Sequence, residues 1–157
     1  MKIIEGGVTA AAGYKASGIH AGIRKNKSKK DLALIVSELP ANAAAVYTTN
    51  LVKGAPLTVT KSHIENGIAQ AVICNSGNAN TCNANGIEIA EEMCELVSKA
   101  TGISADDVVV ASTGVIGQPL SLDPIQSAMG ALVDTLSFDG SGLAAQAIMT
   151  TDTVAKE

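Results

Sequence analysis

Two short apolar runs, each followed directly by a polar loop that contains glycine, constrain the fold of this chain more than any other feature. The first run, residues 70–74, leads into Asn-Ser-Gly-Asn-Ala-Asn at residues 75–80, which we call the asparagine loop. The second, residues 108–111, leads into Ser-Thr-Gly-Val-Ile-Gly at residues 112–117, the threonine loop. Apolar runs of this length indicate buried strands, and loops held at strand ends often carry binding and catalytic groups. The pattern therefore predicts a site built from two strand ends.

The remaining sequence predicts one α/β domain over residues 1–157, with mixed α and β layers and helices packed on a sheet. Early in the chain we expect a buried strand at residues 31–36, ended by a turn at residues 38–40, and another at residues 43–49. Helices are predicted at residues 57–66, at residues 86–101, from Asp123 onwards, and at residues 143–149. The first half of the fold should therefore be rich in strands.

The helix predicted at residues 86–101 is the most regular amphipathic segment of the chain. Its apolar stripe is predicted to consist of Ile89, Met93, Leu96 and Ala100. Its four glutamates should face water, so we interpret them as a solvated helix surface and not as a catalytic cluster. Lys99 should pair with Glu95 one turn away.

Charge and composition exclude several classes of protein. The net charge of −4 argues against general nucleic-acid binding, which needs a basic surface. One basic segment, residues 24–30, lacks interleaved aromatic residues and is predicted to be a solvated hairpin tip; we call it the basic loop. No segment has the length of a membrane span, and residues 1–7 lack the apolar stretch of a signal peptide. These features predict a cytoplasmic protein without a membrane partner.

The potential metal ligands and nucleophiles are few and scattered. The three cysteines form no CxxC pair and are expected to be reduced thiols, and Cys74 in its apolar run should be inert. His20 and His63 are isolated and should be structural or at the surface. No metal site, catalytic triad or P-loop is predicted.

The two loops carry the polar groups from which chemistry could be built. A Ser-Thr-Gly turn after a strand can direct a hydroxyl and a backbone N–H at one oxyanion, or at a phosphate or carboxylate. The same sequence is also compatible with a well-capped turn that binds nothing. The three asparagines either line a polar pocket or hold an unusual turn through bonds to the backbone. Neither loop contains a nucleophile beside a base.

Taken together, six segments of the chain resemble the ornithine acetyltransferase family of arginine biosynthesis, also called glutamate N-acetyltransferase. The resemblance spans residues 6–156, and the segments follow one another in the order of the family. They are residues 7–11, 31–35, 47–50, 75–80, 110–117 and 148–153. The resemblance implies the N-terminal domain of the self-processing acetyltransferase fold, the leading part of the family's α chain.

The resemblance also implies a reaction and a set of site residues. An acetyl group passes from N-acetylornithine to an enzyme threonine and then to glutamate, and that threonine becomes N-terminal when the precursor cleaves itself into α and β chains. Thr113 and Gly114 match the family's oxyanion pair, with the Gly114 N–H and the Thr113 hydroxyl or N–H facing the oxygen. Thr150 or Thr151 matches a substrate-binding threonine, and the spacing favours Thr150. No cofactor is implied, and the use of acetyl-coenzyme A as a second acetyl donor stays open.

The chain departs from the family in ending at Glu157, before the cleavage site and the nucleophilic threonine. We therefore expect an incomplete α chain that supplies one wall of the pocket, has no turnover by itself and needs the β chain in an α/β hetero-oligomer. Two other interpretations stay open. One is a related self-processing amidohydrolase or aminopeptidase, and the other is a binding domain without catalysis.

Overall fold

A computed structural model describes residues 6–155 as a four-stranded sheet covered by helices. Residues 1–5 and 156–157 lie outside the described residues, and with them most of the segment used to argue against a signal peptide. The strands are β1 (Tyr14–Ile19), β2 (Leu32–Asn42), β3 (Ile68–Asn75) and β4 (Val108–Ser112). The helices are α1 (Ala55–His63), α2 (Gly86–Thr101), α3 (Asp123–Asp134) and α4 (Ser141–Ile148). The prediction of mixed α and β layers is confirmed.

The sheet runs in the order β1-β2-β3-β4, and its topology places the two loops together. β1 pairs with β2 and β2 with β3 in antiparallel fashion, whereas β3 and β4 are parallel. A parallel pair needs a crossover connection, which α2 provides. Because β3 and β4 point the same way, the asparagine loop and the threonine loop leave the sheet at the same edge.

The two faces of the sheet are covered differently. Leu32 and Leu34 belong to the main apolar core with α1, α2 and α3, while Ala33 packs with small residues of α4. Side chains of a strand alternate between faces, so α4 lies on the face opposite the main core. This helix packs very closely on β1, because a Cβ on Gly18 would lie 2.1 Å from the carbonyl oxygen of Leu143. The end of α4 is thereby fixed near the loops.

Two of the strand predictions are wrong. The turn predicted at residues 38–40 is part of β2, whose register with β3 shifts between Val36 and Ala41, and an irregular ladder tolerates a proline such as Pro40. The strand predicted at residues 43–49 does not form, and Val46 there is 98% exposed. Strand propensity reflects packing against neighbours, and after Ala43, whose N–H donates to the Gly67 carbonyl, this segment pairs with no strand among residues 6–155.

Helices form where the sequence predicted them, but the buried side of α2 differs from the predicted one. α2 has the predicted bounds, and Lys99 Nζ lies 2.9 Å from Glu95 Oε2. Its buried side includes Ile89, Met93 and Val97, whereas the predicted Ala100 is exposed. The helix predicted at residues 57–66 is α1 extended by a 3-10 turn, Ile64–Asn66.

Membrane insertion through a helix finds no support in the described part of the chain. None of the helices within residues 6–155 combines the length and the apolar character that crossing a bilayer requires.

Candidate functional site

The ends of β3 and β4 are joined side by side through Asn75 and Ser112. These residues are register partners, and Asn75 Nδ2 donates to Ser112 Oγ over 2.7 Å. One residue further on, the Thr113 N–H donates to the Asn75 carbonyl over 2.9 Å. The two loops therefore begin from one hydrogen-bonded pair of residues, as their positions in the sequence predicted.

The asparagines of the asparagine loop are buried, and their side chains hold the loop. Asn75 Oδ1 accepts hydrogen bonds from the N–H groups of Gly77 (3.1 Å) and Asn78 (2.9 Å). Asn78 Oδ1 accepts from the Asn80 N–H over 2.7 Å, and Asn80 Nδ2 donates to the Gly86 carbonyl over 2.7 Å. Of the two interpretations that the sequence left open, these bonds favour the held turn.

Beyond the Asn75–Ser112 pair, the asparagine loop and the threonine loop also meet through their backbones. A Cβ on Gly114 would lie 2.7 Å from the carbonyl carbon of Gly77 and 2.8 Å from the Asn78 nitrogen. The φ of Gly114 is also +128°, a conformation that side chains disfavour. The Ala79 N–H donates to the Val115 carbonyl over 2.9 Å and adds a second connection. The two loops thus form one rigid unit.

The unused hydrogen-bond donors of the threonine loop include two on adjacent residues, Thr113 and Gly114. Because the Thr113 N–H donates to Asn75, that group is not free for a ligand. The Thr113 hydroxyl and the Gly114 N–H make no hydrogen bond to any residue between 6 and 155. Thr113 is partly buried and Gly114 is exposed, so a ligand could reach both. Two donors on adjacent residues of a rigid loop suit an anionic oxygen.

The C-terminal end of α4 is bonded to the other side of the asparagine loop. Ser76 Oγ donates to the Ala147 carbonyl, and the Arg24 guanidinium bonds the carbonyls of both Ser76 and Met149. Thr150, which follows directly, is partly buried.

The structure thus brings the segment of Thr150 and Thr151 to the asparagine loop, and that loop to Gly114. Thr151 is exposed, unlike its neighbour. Within the part of the chain that the structure describes, no hydrogen bond joins either threonine to Thr113 or Gly114. The connection between the two predicted groups of site residues therefore passes through residues 75–80.

Arg24 is the residue near this site that the sequence did not single out. The basic loop does connect β1 to β2 as a hairpin, as predicted, yet Arg24 is partly buried, and its Nε donates to the Ser76 carbonyl over 2.8 Å. Asp31 holds the backbone of Arg24 against the fold, because its fully buried carboxylate accepts hydrogen bonds from the N–H groups of Ala21 (2.6 Å) and Arg24 (2.8 Å). A lone aspartate directly before an apolar strand was the available signal, since buried carboxylates need donors.

Three further titratable residues, His63, Cys74 and Cys94, have structural surroundings. His63 is buried, with Nδ1 2.9 Å from the Val108 carbonyl and Nε2 3.0 Å from Glu91 Oε2, so Glu91 is not wholly solvated as predicted. Burial raises the pKa of the Cys74 thiol to about 11. Burial, together with nearby carboxylates, raises the pKa of Cys94 to about 12. Both thiols are free and protonated at neutral pH, which fits the predicted inert packing of Cys74.

No arrangement of ligands for a metal ion is found among residues 6–155. The described histidines, cysteines and carboxylates nowhere form a group of three or more that could hold one.

Comparison with known proteins relates this chain to one family. The model of the ArgJ family matches residues 15–157. The chain is 52% identical over 155 residues to the arginine biosynthesis bifunctional protein ArgJ of Gloeobacter violaceus, covering 98% of this chain and 38% of the relative. It is 49% identical over 159 residues to the protein of the same name from Symbiobacterium thermophilum, covering 100% of this chain and 40% of the relative. The chain thus spans well under half the length of these curated relatives.

Two solved structures have the same fold. The crystal structure of the arginine biosynthesis bifunctional protein from Bacillus halodurans has a TM-score of 0.88 and 42% identity, over 95% of this chain and 78% of that one. Ornithine acetyltransferase from Mycobacterium tuberculosis, solved in complex with ornithine, has a TM-score of 0.88 and 40% identity, over 94% of this chain and 81% of that one. At 42% and 40% identity, these proteins share both the fold and the family of this chain.

Proposed function

Because this chain belongs to the ArgJ family, we propose that it forms part of an enzyme that transfers an acetyl group from N-acetylornithine to glutamate in arginine biosynthesis. The observation that supports this most is the pair of unused donors, the Thr113 hydroxyl and the Gly114 N–H, on a loop held by the asparagine loop. Acyl transfer needs such donors, since charge develops on the carbonyl oxygen only in the transition state.

In the proposed mechanism an N-terminal threonine of the β chain attacks the acetyl carbonyl carbon of N-acetylornithine. Its own amino group takes the hydroxyl proton and returns a proton to the departing ornithine amine, which leaves an acyl-threonine. The neutral amine of glutamate then attacks the carbonyl carbon of this ester, and the amino group of the threonine passes the amine proton to the threonine oxygen as the C–O bond breaks. This step releases N-acetylglutamate and the free threonine. Thr113 and Gly114 donate to the oxyanion in both steps, and loss of one such donor typically costs about 3 kcal/mol in the barrier.

Thr150 and Thr151 are proposed to form part of the substrate wall, with Thr150 as the contacting residue. Thr150 is partly buried beside Met149, whose carbonyl Arg24 binds, whereas Thr151 is exposed. A residue that is held in place positions a bound substrate more precisely, and this favours Thr150 over Thr151. The partner of this wall would be the β chain in an α/β hetero-oligomer of the cytoplasm. No cofactor is required, and acetyl-coenzyme A would be a second acetyl donor.

The test uses the complete gene product, with N-acetylornithine and glutamate as substrates and N-acetylglutamate as the measured product. Thr113→Ala should lower kcat by about a hundredfold or more, because an oxyanion donor acts on the transition state. Thr58→Ala, the same change at an exposed position of α1, is the control and should leave kcat unchanged. A kcat within about twofold of the parent in Thr113→Ala would reject the oxyanion assignment, since it lies far below this expected effect.

The same assay separates the other functions. Turnover of small peptide amides with none of N-acetylornithine would establish an amidohydrolase or aminopeptidase. Absence of all turnover by the complete gene product would establish a binding domain. Residues 1–157 alone should give no N-acetylglutamate, because the proposed nucleophile is on other polypeptide.

A further inference from the structure

A cavity of about 460 Å³ lies between the basic loop and the C-terminal end of α4. The hairpin contributes His20, Ser28 and three lysines to its lining, and α4 and the residue after it contribute Gln146 and Met149. The three lysines are Lys27, Lys29 and Lys30. This volume lies within the range of about 300–1,000 Å³ that small-molecule sites occupy. The cavity is separate from the Thr113–Gly114 pair, because neither residue lines it.

The charge of the cavity is opposite to that of the chain. The net charge is −4, yet 5 of the 11 lysines and arginines lie within residues 24–30. Among residues 6–155, no aspartate or glutamate lines the cavity. The nearest acid in sequence, Asp31, is fully buried and already accepts two backbone N–H groups, although its Oδ2 lies 3.4 Å from His20 Nδ1. Ammonium groups around one cavity repel each other, and an anion between them relieves that repulsion.

The loop that carries the lysines is fixed by its own hydrogen bonds. Asn26 Oδ1 accepts the Ser28 N–H over 3.0 Å and the Ser28 hydroxyl over 2.7 Å. The Lys29 carbonyl lies 2.9 Å from His20 Nδ1, and Arg24 is held to Ser76. A ligand would therefore order few backbone groups on binding, and this lowers the entropic cost of association.

From this cavity we propose a binding site for the phosphate groups of a small molecule. Lysine binds phosphate well as a point charge, and three lysines match a group with two or three negative charges better than a single carboxylate. None of the described residues that line the cavity is aromatic, so they offer no surface for the base stacking that single-stranded nucleic-acid sites use. The proposal does not depend on acetyl transfer, because binding requires no turnover.

The ligand's phosphates could belong to coenzyme A or to free pyrophosphate, and calorimetric titration of the complete gene product with each separates these sources. Lys27→Gln/Lys30→Gln should weaken binding of both by at least about tenfold, because two charge-assisted contacts are lost. Lys25→Gln makes the same change in the same loop, but Lys25 does not line the cavity, so its effect should stay below about twofold if charge acts locally. If coenzyme A binds more tightly than pyrophosphate, the phosphates belong to coenzyme A. If the two bind equally, the site recognises free phosphate compounds.

Labelling of the unmodified protein with an amine-reactive reagent keeps the test independent of variant folding. Pyrophosphate should protect Lys27 and Lys30 from the reagent and leave Lys25 reactive. The proposal is overturned if neither phosphate compound binds or protects. It is also overturned if Lys25→Gln weakens binding as much as the double variant, or if a short RNA binds with the same dependence on all three lysines, since diffuse charge would then explain the effect.

Discussion

Gly114 and Gly77 meet with no space for a side chain between them, since a Cβ on Gly114 would lie 2.7 Å from the carbonyl carbon of Gly77. The contact joins the threonine loop to the asparagine loop, and the asparagine loop is itself bonded to the end of α4 through Ser76. The position of the Gly114 N–H therefore depends on three segments that are far apart in the sequence. Changes in any of them should affect both stability and the proposed site.

Gly114→Ala should lower the free energy of unfolding by at least about 1–3 kcal/mol. The new Cβ meets backbone atoms, which cannot move aside, and φ at +128° strains any residue other than glycine. Gly130→Ala is the matched control, because Gly130 lies inside α3 with nothing within 4 Å of the added Cβ. That change should stabilise the protein by about 0.5–1 kcal/mol. Urea unfolding measures both, and similar values for the two variants would contradict the contact.

Arg24→Ala should lower the free energy of unfolding by about 1–3 kcal/mol, because two carbonyls lose a charged donor. In the complete gene product it should also raise KM for N-acetylornithine more than it lowers kcat, since Thr150 follows the released Met149. Arg24→Lys should not restore KM, because lysine lacks the planar fork that reaches both carbonyls. Lys25→Ala, at the exposed neighbour, is the control. An unchanged KM in Arg24→Ala would separate this arginine from substrate binding.

Stability should fall as the pH rises above 9, because two thiols ionise less readily in the folded state. Burial raises the pKa of Cys74 from 9.0 to about 11 and that of Cys94 from 9.0 to about 12. Above pH 9 the unfolded chain therefore releases protons that the folded chain keeps, which favours unfolding by up to about 1.4 kcal/mol per pH unit for each thiol. Urea unfolding between pH 8 and about 10.5 measures the slope, because this range crosses the unfolded pKa of 9.0 and stays below the folded values of about 11 and 12.

The double variant Cys74→Ala/Cys94→Ala supplies the control for this pH dependence. It should be less stable at pH 8, since both side chains fill space, but its stability should decline less steeply with pH. All other ionisable groups are the same in the two proteins, so only the difference in slope reports on the thiols. Equal slopes would show that these thiols do not cause the decline.

The sequence predicted those features that neighbouring residues determine. α2 has its predicted bounds because its apolar period is regular and Gly102, at φ 79°, ends it. The meeting of the two loops was predictable because both follow buried strands. The lack of a strand at residues 43–49 was not predictable, because it depends on there being no partner strand for this segment among the described residues. Arg24 was missed for a related reason, since the carbonyls that it binds lie 52 and 125 residues away.

The coupling between Asn75 and Ser112 tests whether the two loops are joined at their origin. Asn75→Ala removes three side-chain hydrogen bonds at a buried position and should cost about 2–4 kcal/mol. Asn66→Ala, which removes one bond to the Ile68 N–H at an exposed position, should cost less than about 1 kcal/mol. Ser112→Ala and the double variant complete a cycle, and we expect a coupling energy of about 1 kcal/mol from the 2.7 Å bond. Additive effects would mean that the bond between the two side chains contributes no stability and that the backbone ladder alone holds the strand ends. The position of the threonine loop would then depend on the Gly114–Gly77 contact and not on the Asn75 side chain.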